Sequence, residues 1–466
     1  MSPQRIADLD IILNHTGNVF SYQADRYWDP GATAPDARWD GLPYRVAGFN
    51  DALGRGILPF VPAAPGAASP AWPDGAVWPA ELQAPDVFTC AGRISNWDHE
   101  PESLGGDFFD LKDVHLGSGP TDHFRPSPAL QVLAAVYQHW IADADLDGFR
   151  VDTVKHMEPG ATRYFASAIH EFAQSIGKEN FYLIGEITGG RRRAFTTLEE
   201  TGLNAALGID DIPDKLEYLV KGYRNPADYF GLFRNSMLVG KESHTWFRNT
   251  VVTMFDDHDQ VRKGGSKARF CAGEDGGRVV LNALALNVTS LGIPWIYYGT
   301  EQGFDGAGGS DRYLRECMFG GEFGAFRSRG RHCFHEQRFV FVELAKILEV
   351  RRQKTALRRG RQYLREISGD GLRFGVPEMV NGQIRSVVPW SRILDRSEIL
   401  CAINTDYDRA STAWVTIDAG LHRVGDLLTC LYSTDAAQTA TAVSVEARNG
   451  LAVRLTVPAA GFVIYG

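Results

Sequence analysis

The sequence predicts an α/β chain built on a barrel of (β/α)8 type, with a loop-rich insertion near its start and an antiparallel β domain at its end. Three observations carry this expectation. Near-continuous apolar strands alternate with amphipathic helices from about residue 129, the pattern of a parallel sheet buried on both faces. Polar residues stand at the C-terminal ends of successive strands: Asn14-His15, Arg150 with Asp152, Glu186, and His258-Asp259. That is the face on which barrel active sites are built. No glycine-rich phosphate turn follows the first strand, as a dinucleotide-binding open sheet would require.

The elements follow in order. Residues 10–14 (Asp-Ile-Ile-Leu-Asn) read as a short apolar strand. Fourteen of the 22 prolines then fall between 30 and 128, which makes that stretch an excursion from the scaffold. Leu130, Leu133, Ala134, Tyr137, Trp140 and Ile141 recur at helical spacing, giving a helix over 129–142 that leads to a strand at 148–152. A helix at 161–176 leads to a strand at 181–186, and a candidate strand follows at 203–209. Strands at 251–256 and 293–298 flank a helix at 278–290, and a last helix covers about 336–352. From about 368 the pattern turns to short alternating strands with turns, a separate β domain. Six barrel strands are countable.

Composition narrows the function classes. A chain of 466 residues with 44% apolar and 23% charged residues is an ordinary globular one, and its net charge of −9 argues against nucleic acid. The basic runs at Arg191–Arg193 and between Arg351 and Arg361 read as solvated helix faces and ends. Six scattered cysteines contain no C-x-x-C, so neither zinc nor a disulfide framework is expected. The apolar window 281–298 holds Asn282, Asn287 and Pro294, a core helix and strand rather than a membrane span. No signal peptide opens the sequence, so the cytoplasm is the default expectation, beside a secreted longer form.

The stretch 143–148, Asp-Ala-Asp-Leu-Asp-Gly, opens like an EF-hand calcium loop. Its twelfth position is Val154 rather than a bidentate Glu, and a β-branched strand follows instead of a helix. The carboxylates therefore need another reading. Asp152, Glu186 and Asp259 would converge at a barrel mouth, and glycoside hydrolysis requires two carboxylates flanking the scissile bond. Each alone could merely cap a helix. An arginine two residues before one acid and a histidine beside another favour the site.

The residues also resemble the α-amylase superfamily, glycoside hydrolase family 13. Asp10-Ile-Ile-Leu-Asn14-His15 is similar to that family's first conserved region, and Gly148 to His156 to its second. Gly185-Glu186 is similar to the third and Phe255 to Asp259 to the fourth. Gly292 to Glu301 resembles the last barrel strand, and Ile212 to Leu216 more loosely a fifth motif. The family carries two strands before the first of these. The resemblance thus implies a (β/α)8 TIM-type barrel, N-terminally incomplete, over 1–15 and 129–367. It also implies an inserted domain after the third strand at 16–128, and a C-terminal antiparallel β-sandwich at 368–466.

The resemblance implies an α-glucan or maltooligosaccharide substrate and assigns roles. Asp152 is expected as the nucleophile oriented by Arg150, Glu186 as acid then base, and Asp259 as stabiliser of the oxocarbenium-like state. His258 and His15 are expected to grip the sugar, with Lys155 and His156 on the leaving-group side. A structural calcium is expected on Asn14, Asp110 and His156, the last through its carbonyl. Aromatics of the insertion (Tyr22, Tyr27, Trp28, Trp39, Trp97) either stack on sugars or pack loops, and the loop 301–335 shapes far subsites. Three readings stay open: an α-1,4-glucan hydrolase, a transglycosylase or small-substrate α-glucosidase, and a non-catalytic glucan-binding remnant.

Overall fold

The computed structural model describes residues 7–23, 37–50, 79–83, 85–209, 211–233, 244–319 and 332–466. The chain divides into two compact units, Met1–Gly208 and Ile209–Gly466.

In the first unit, β1 (Asp8–Ile11) pairs in parallel with β2 (Gly148–Val151), and β2 with β3 (Tyr182–Gly189). The four-stranded order ends on β4 (Ala205–Ile209), which leaves β1 at the sheet's edge. All four residues of β2 are buried, as an apolar strand covered on both faces should be. Gly148 is dictated by crowding: a Cβ there would lie 2.4 Å from Asp8 Oδ1 and 2.6 Å from the Tyr182 carbonyl.

Two helices fall close to the expected bounds. The α1 helix (Pro128–Asp143) starts where Ser127 Oγ accepts from Leu130 N, with proline at its first position. The α2 helix (Pro159–Ser175) buries Phe165, Ala166, Ile169 and Ala173 on one face. Between β3 and β4 lies α3 (Arg191–Thr201), which opens on the basic run Arg191–Arg193 read as a helix face or end, although no bounds were expected for it. Its apolar Ala194, Phe195 and Leu198, followed by left-handed Gly202, were the available signal. The acids of the EF-hand look-alike already have a cation: Lys178 Nζ stands 2.7 Å from Asp145 and 3.3 Å from Asp147.

The second unit opens with α4 (Asp211–Val220), and its parallel pair is shorter than expected. Only β5 (Val252–Thr253) and β6 (Ile293–Pro294) hydrogen-bond, in place of the six-residue strands expected at 251–256 and 293–298. Beyond β5 the Phe255 carbonyl serves the side chains of Gln260 and Arg262, and beyond β6 the chain bends at left-handed Gly299. An apolar run thus read as ladder is mostly side-chain-bonded turn. Helices α5 (Glu274–Thr289) and α6 (Phe339–Gln353) match their expected positions.

The remaining strands of the second unit form one nine-stranded antiparallel sheet. They are β7 (Arg361–Leu364), β8 (Ile367–Ser368), β9 (Val387–Leu394), β10 (Ser397–Asn404), β11 (Ser411–Thr416), β12 (Leu427–Ser433), β13 (Ala442–Glu446), β14 (Ala452–Val457) and β15 (Phe462–Tyr465). Their order is β7-β9-β10-β15-β12-β13-β14-β11-β8, curled around a core of Leu400, Ala402, Val415, Val453, Val463 and neighbours. Buried Arg392 keeps company with carbonyls: it donates to Thr289 O at the end of α5 and to Gly360 O at 3.0 Å. Cations suit helix C-termini, which is how this guanidinium tolerates burial.

Candidate active site

The first unit brings Asp10, Arg150, Asp152 and Glu186 together. Arg150 leaves the middle of β2 with its side chain only 6% exposed. Its Nη1 donates to Asp10 Oδ1 at 2.8 Å and to Asp152 Oδ1, and its Nη2 lies 2.9 Å from Glu186 Oε2. One guanidinium therefore serves three carboxylates from β1, the end of β2, and β3. Asp152 N donates to the Ile11 carbonyl at 2.8 Å, which anchors the acid where β2 ends.

Thr153 then takes φ 49°, a left-handed conformation that costs a β-branched residue on the order of 1–3 kcal/mol. Its N–H donates to Glu186 Oε2 at 3.1 Å, so the bend is used to hold the second acid. Oε2 of Glu186 is thus met by both the Arg150 fork and the Thr153 amide.

His15 and His156 flank Phe108, with ring centroids at 5.1 and 4.6 Å. Burial lowers the His15 pKa against the opposing fields of Asp152 and Asp107. Burial also takes His156 down to about 4; its Nδ1–H donates to the Ser103 carbonyl at 2.8 Å. Lys155 Nζ stands 2.8 Å from Asp98, which also accepts from Arg193 Nη1 at 3.1 Å. These two cations hold the Asp98 carboxyl below its ordinary range, Lys155 first. Neither Asp98 nor Arg193 was expected at the site: Asp98 lies in the insertion, and Arg193 belongs to the basic run read as a solvated helix face.

Of the expected calcium ligands, Asn14 and His156 are buried. Asp110 is exposed, whereas Asp113, three residues on, is 2% exposed and takes Asn14 Nδ2 on its Oδ1 at 3.2 Å. Its Oδ2 makes no hydrogen bond of normal geometry with a described residue. Burial, then the nearby Asp107, pushes the Asp113 carboxyl well above its usual range. A buried, under-partnered carboxylate beside an amide that can turn its oxygen inward fits a hard cation. Asn14 and Asp113 are thus donors of the kind calcium takes, and Asp110 faces solvent. Among the described residues no three His, Cys, Asp or Glu side chains gather as a metal cluster.

Of the aromatics, Tyr22 packs against Phe20 and Tyr44 and donates to Asp107 Oδ2 at 2.6 Å, so it is a structural residue. Tyr27 and Trp28 lie outside the described residues. Trp97 meets Phe108 and His156 edge-on and Phe109 at a tilt, and Phe109 leaves 65% of its surface open. Trp39 lies over Gly105.

The second unit holds His258 and Asp259. His258 Nε2 is 3.0 Å from Asp259 Oδ2, and Arg315 Nη2 donates to Oδ1. Burial alone would raise this carboxyl, but His258 and Arg315 outweigh it and hold it at about 2. Asp257 Oδ1 accepts from the Asp259 and Gln260 amides, shaping the turn. Asp256, 3% exposed, is fully engaged by Phe270 N, Gln260 and Thr300.

Comparison with known proteins gives a consistent picture. The family "Alpha amylase, catalytic domain" matches residues 125–314. An α-amylase of Streptomyces lividans is 27% identical over 97% of this chain and 48% of its own length. A cyclomaltodextrin glucanotransferase of Klebsiella oxytoca is 30% identical over 49% of this chain and 37% of its own. The chain thus spans about half, or less, of the curated relatives it matches. The crystal structure of a Geobacillus thermoleovorans α-amylase complexed with acarbose superposes with TM-score 0.59 at 17% identity, covering 82% of this chain and 73% of that one. An Anoxybacillus α-amylase gives TM-score 0.59 at 20% identity, covering 82% and 70%. These likenesses share the TIM-type barrel with a C-terminal antiparallel β domain. No helix of the described residues is long and apolar enough to cross a membrane. Residues 125–314 thus match the α-amylase catalytic-domain family, and the fold is that of solved α-amylases.

Proposed function

We propose that the chain carries the machinery of a retaining α-glucan hydrolase that cuts α-1,4-glucosidic bonds through a covalent glycosyl-enzyme. The observation that supports this most is the single buried guanidinium of Arg150 shared by Asp152 and Glu186. It keeps two carboxylates within reach of one glycosidic bond.

In this reading an Asp152 oxygen attacks the anomeric carbon while the bond to the leaving oxygen breaks. Glu186 transfers its proton to that oxygen, then removes one from the water that displaces Asp152. Two inversions restore the starting configuration. Arg150 orients Asp152 through a charge-assisted hydrogen bond to its Oδ1. The first half needs Glu186 protonated, so entry of the sugar has to loosen Arg150 from Oε2 while leaving it on Asp152. Asp259 is the third acid, taking sugar hydroxyls and facing the developing positive charge, with His258 and His15 as further donors. Lys155 and His156 serve the leaving-group side. Calcium on Asn14 and Asp113 would fasten the segment after β1 to the insertion and take no part in a step.

Similarity to cyclomaltodextrin glucanotransferases supports a second reading, in which a sugar hydroxyl replaces water on the same intermediate. Chromatography of products from maltoheptaose, beside an Asp152→Asn control, separates the readings. Shorter products absent from the control support hydrolysis, and longer ones support transfer. No conversion by the unmodified chain rejects catalysis and leaves glucan binding alone.

A further inference from the structure

Asp259 is engaged on both of its oxygens. His258 Nε2 takes Oδ2 at 3.0 Å, and Arg315 Nη2 takes Oδ1. Arg315 Nε also donates to the His258 carbonyl at 3.1 Å, so the guanidinium grips two consecutive residues. The segment that carries it is fastened independently. Arg315 follows the helical turn Asp311–Leu314, whose Asp311 pairs with Lys267. Tyr297 Oη donates to the Leu314 carbonyl at 3.3 Å and Tyr298 Oη to the Glu316 carbonyl at 2.8 Å. A fixed rung thus carries a side chain that is itself 48% exposed.

A carboxylate that binds sugar does so by accepting from hydroxyl groups, and here a guanidinium already occupies Oδ1. We propose that Arg315 is a latch on Asp259 that the substrate displaces, an inference that rests on Asp259 being the sugar-binding acid proposed above. Sugar hydroxyls exchange with the guanidinium at Oδ1, and the exposed Arg315 side chain swings into solvent. His258 stays on Oδ2 and keeps the carboxylate in place. The latch makes binding a competition, so it weakens affinity for every sugar that reaches Asp259. Because the pair is partly exposed, its weight is a few-fold in affinity, and salt reduces it.

The test is calorimetric binding of maltoheptaose to the full chain carrying Asp152→Asn, alone and combined with Arg315→Ala, Arg315→Gln or Arg315→Lys. Arg315→Ala is expected to tighten binding about two- to fivefold, as loss of an exposed ion pair should. Affinity of the latched protein should rise between about 0.01 M and about 1 M ionic strength, and that response should vanish with Arg315→Ala. Arg315→Lys, keeping charge without the fork, should fall between. Should Arg315→Ala fail to fold by circular dichroism, Arg315→Gln, which can still donate to the His258 carbonyl, carries the test. Unchanged or weaker binding, or a salt response that survives, overturns the latch. Adding Asp259→Asn separates the two ideas. If it weakens binding while Arg315→Ala does not tighten it, only the latch fails. If it leaves binding unchanged, or if the Asp152→Asn protein binds no maltoheptaose, the reading of Asp259 fails as well.

Discussion

Arg150 Nη2 lies 2.9 Å from Glu186 Oε2, on a guanidinium whose other arm reaches Asp10 and Asp152. A planar fork can serve several carboxylates at fixed angles, whereas a lysine offers one point charge on a flexible stem. Arg150→Lys is therefore expected to fold and to lose most activity. Losing two charge-assisted hydrogen bonds of about 1.5–3 kcal/mol each corresponds to a fall in kcat/KM of roughly 100-fold or more. Arg150→Met, leaving three acids facing one another, should also lower the melting temperature. Initial rates on maltoheptaose and melting curves check both; a Lys variant with near-normal kcat/KM would show that the fork is dispensable.

Phe109 pairs obliquely with Trp97 at 5.5 Å yet keeps 65% of its surface open. A large exposed ring beside the His156 cluster contributes little to stability and offers a face for a sugar. Phe109→Ala should shift stability by no more than about 0.5 kcal/mol. It should weaken maltoheptaose binding by ~1 kcal/mol, about fivefold, through lost stacking. Equal binding by variant and parent would make Phe109 a bystander.

For calcium, the structure separates two neighbouring acids. Asp113 is buried against Asn14, and Asp110 faces solvent. Calcium at about 100 times its Kd should stabilise the protein by about 2.7 kcal/mol, seen as a rise in melting temperature over a chelator-treated sample. Asp113→Asn should abolish that rise, and Asp110→Asn should preserve it. The opposite pattern would return the ligand role to Asp110.

How much of this was legible in the sequence depends on distance along the chain. The strand end carrying Asp152 was readable, because an apolar run followed by an acid is a local pattern; Glu186 was read as ending its strand, whereas β3 runs on to Gly189. The Arg150–Asp10 pair was not, since register between β1 and β2 joins residues 140 apart. The same holds for the Asp98 bridge between Lys155 and Arg193. Asp110 and Asp113 look alike in Asp-Leu-Lys-Asp, and only burial tells them apart. The strands at 252 and 293 were overread because composition reports burial, while a ladder also needs a partner and free N–H groups.

Glu398 gives a prediction outside the site, in the C-terminal sheet. It is 5% exposed and accepts from Arg365 Nη2 at 2.6 Å, the Asp418 amide at 2.9 Å and Ser391 Oγ, with His422 Nε2 at 3.1 Å. Burial would raise its pKa, but the His422 hydrogen bond, the Arg365 charge and the remaining donors bring it down to about 2. The unfolded chain, with an ordinary glutamate, binds its proton at higher pH than the folded one. The stabilisation is therefore complete above about pH 5 and is lost as pH falls toward 2, amounting to about 3 kcal/mol. Glu398→Gln should lose about that much at pH 7, because Arg365 is left without its carboxylate. Its unfolding free energy should also fall less steeply than the parent's between pH 5 and pH 2. Urea unfolding at a series of pH values measures both. Parallel pH curves for the two proteins would place the acid sensitivity elsewhere.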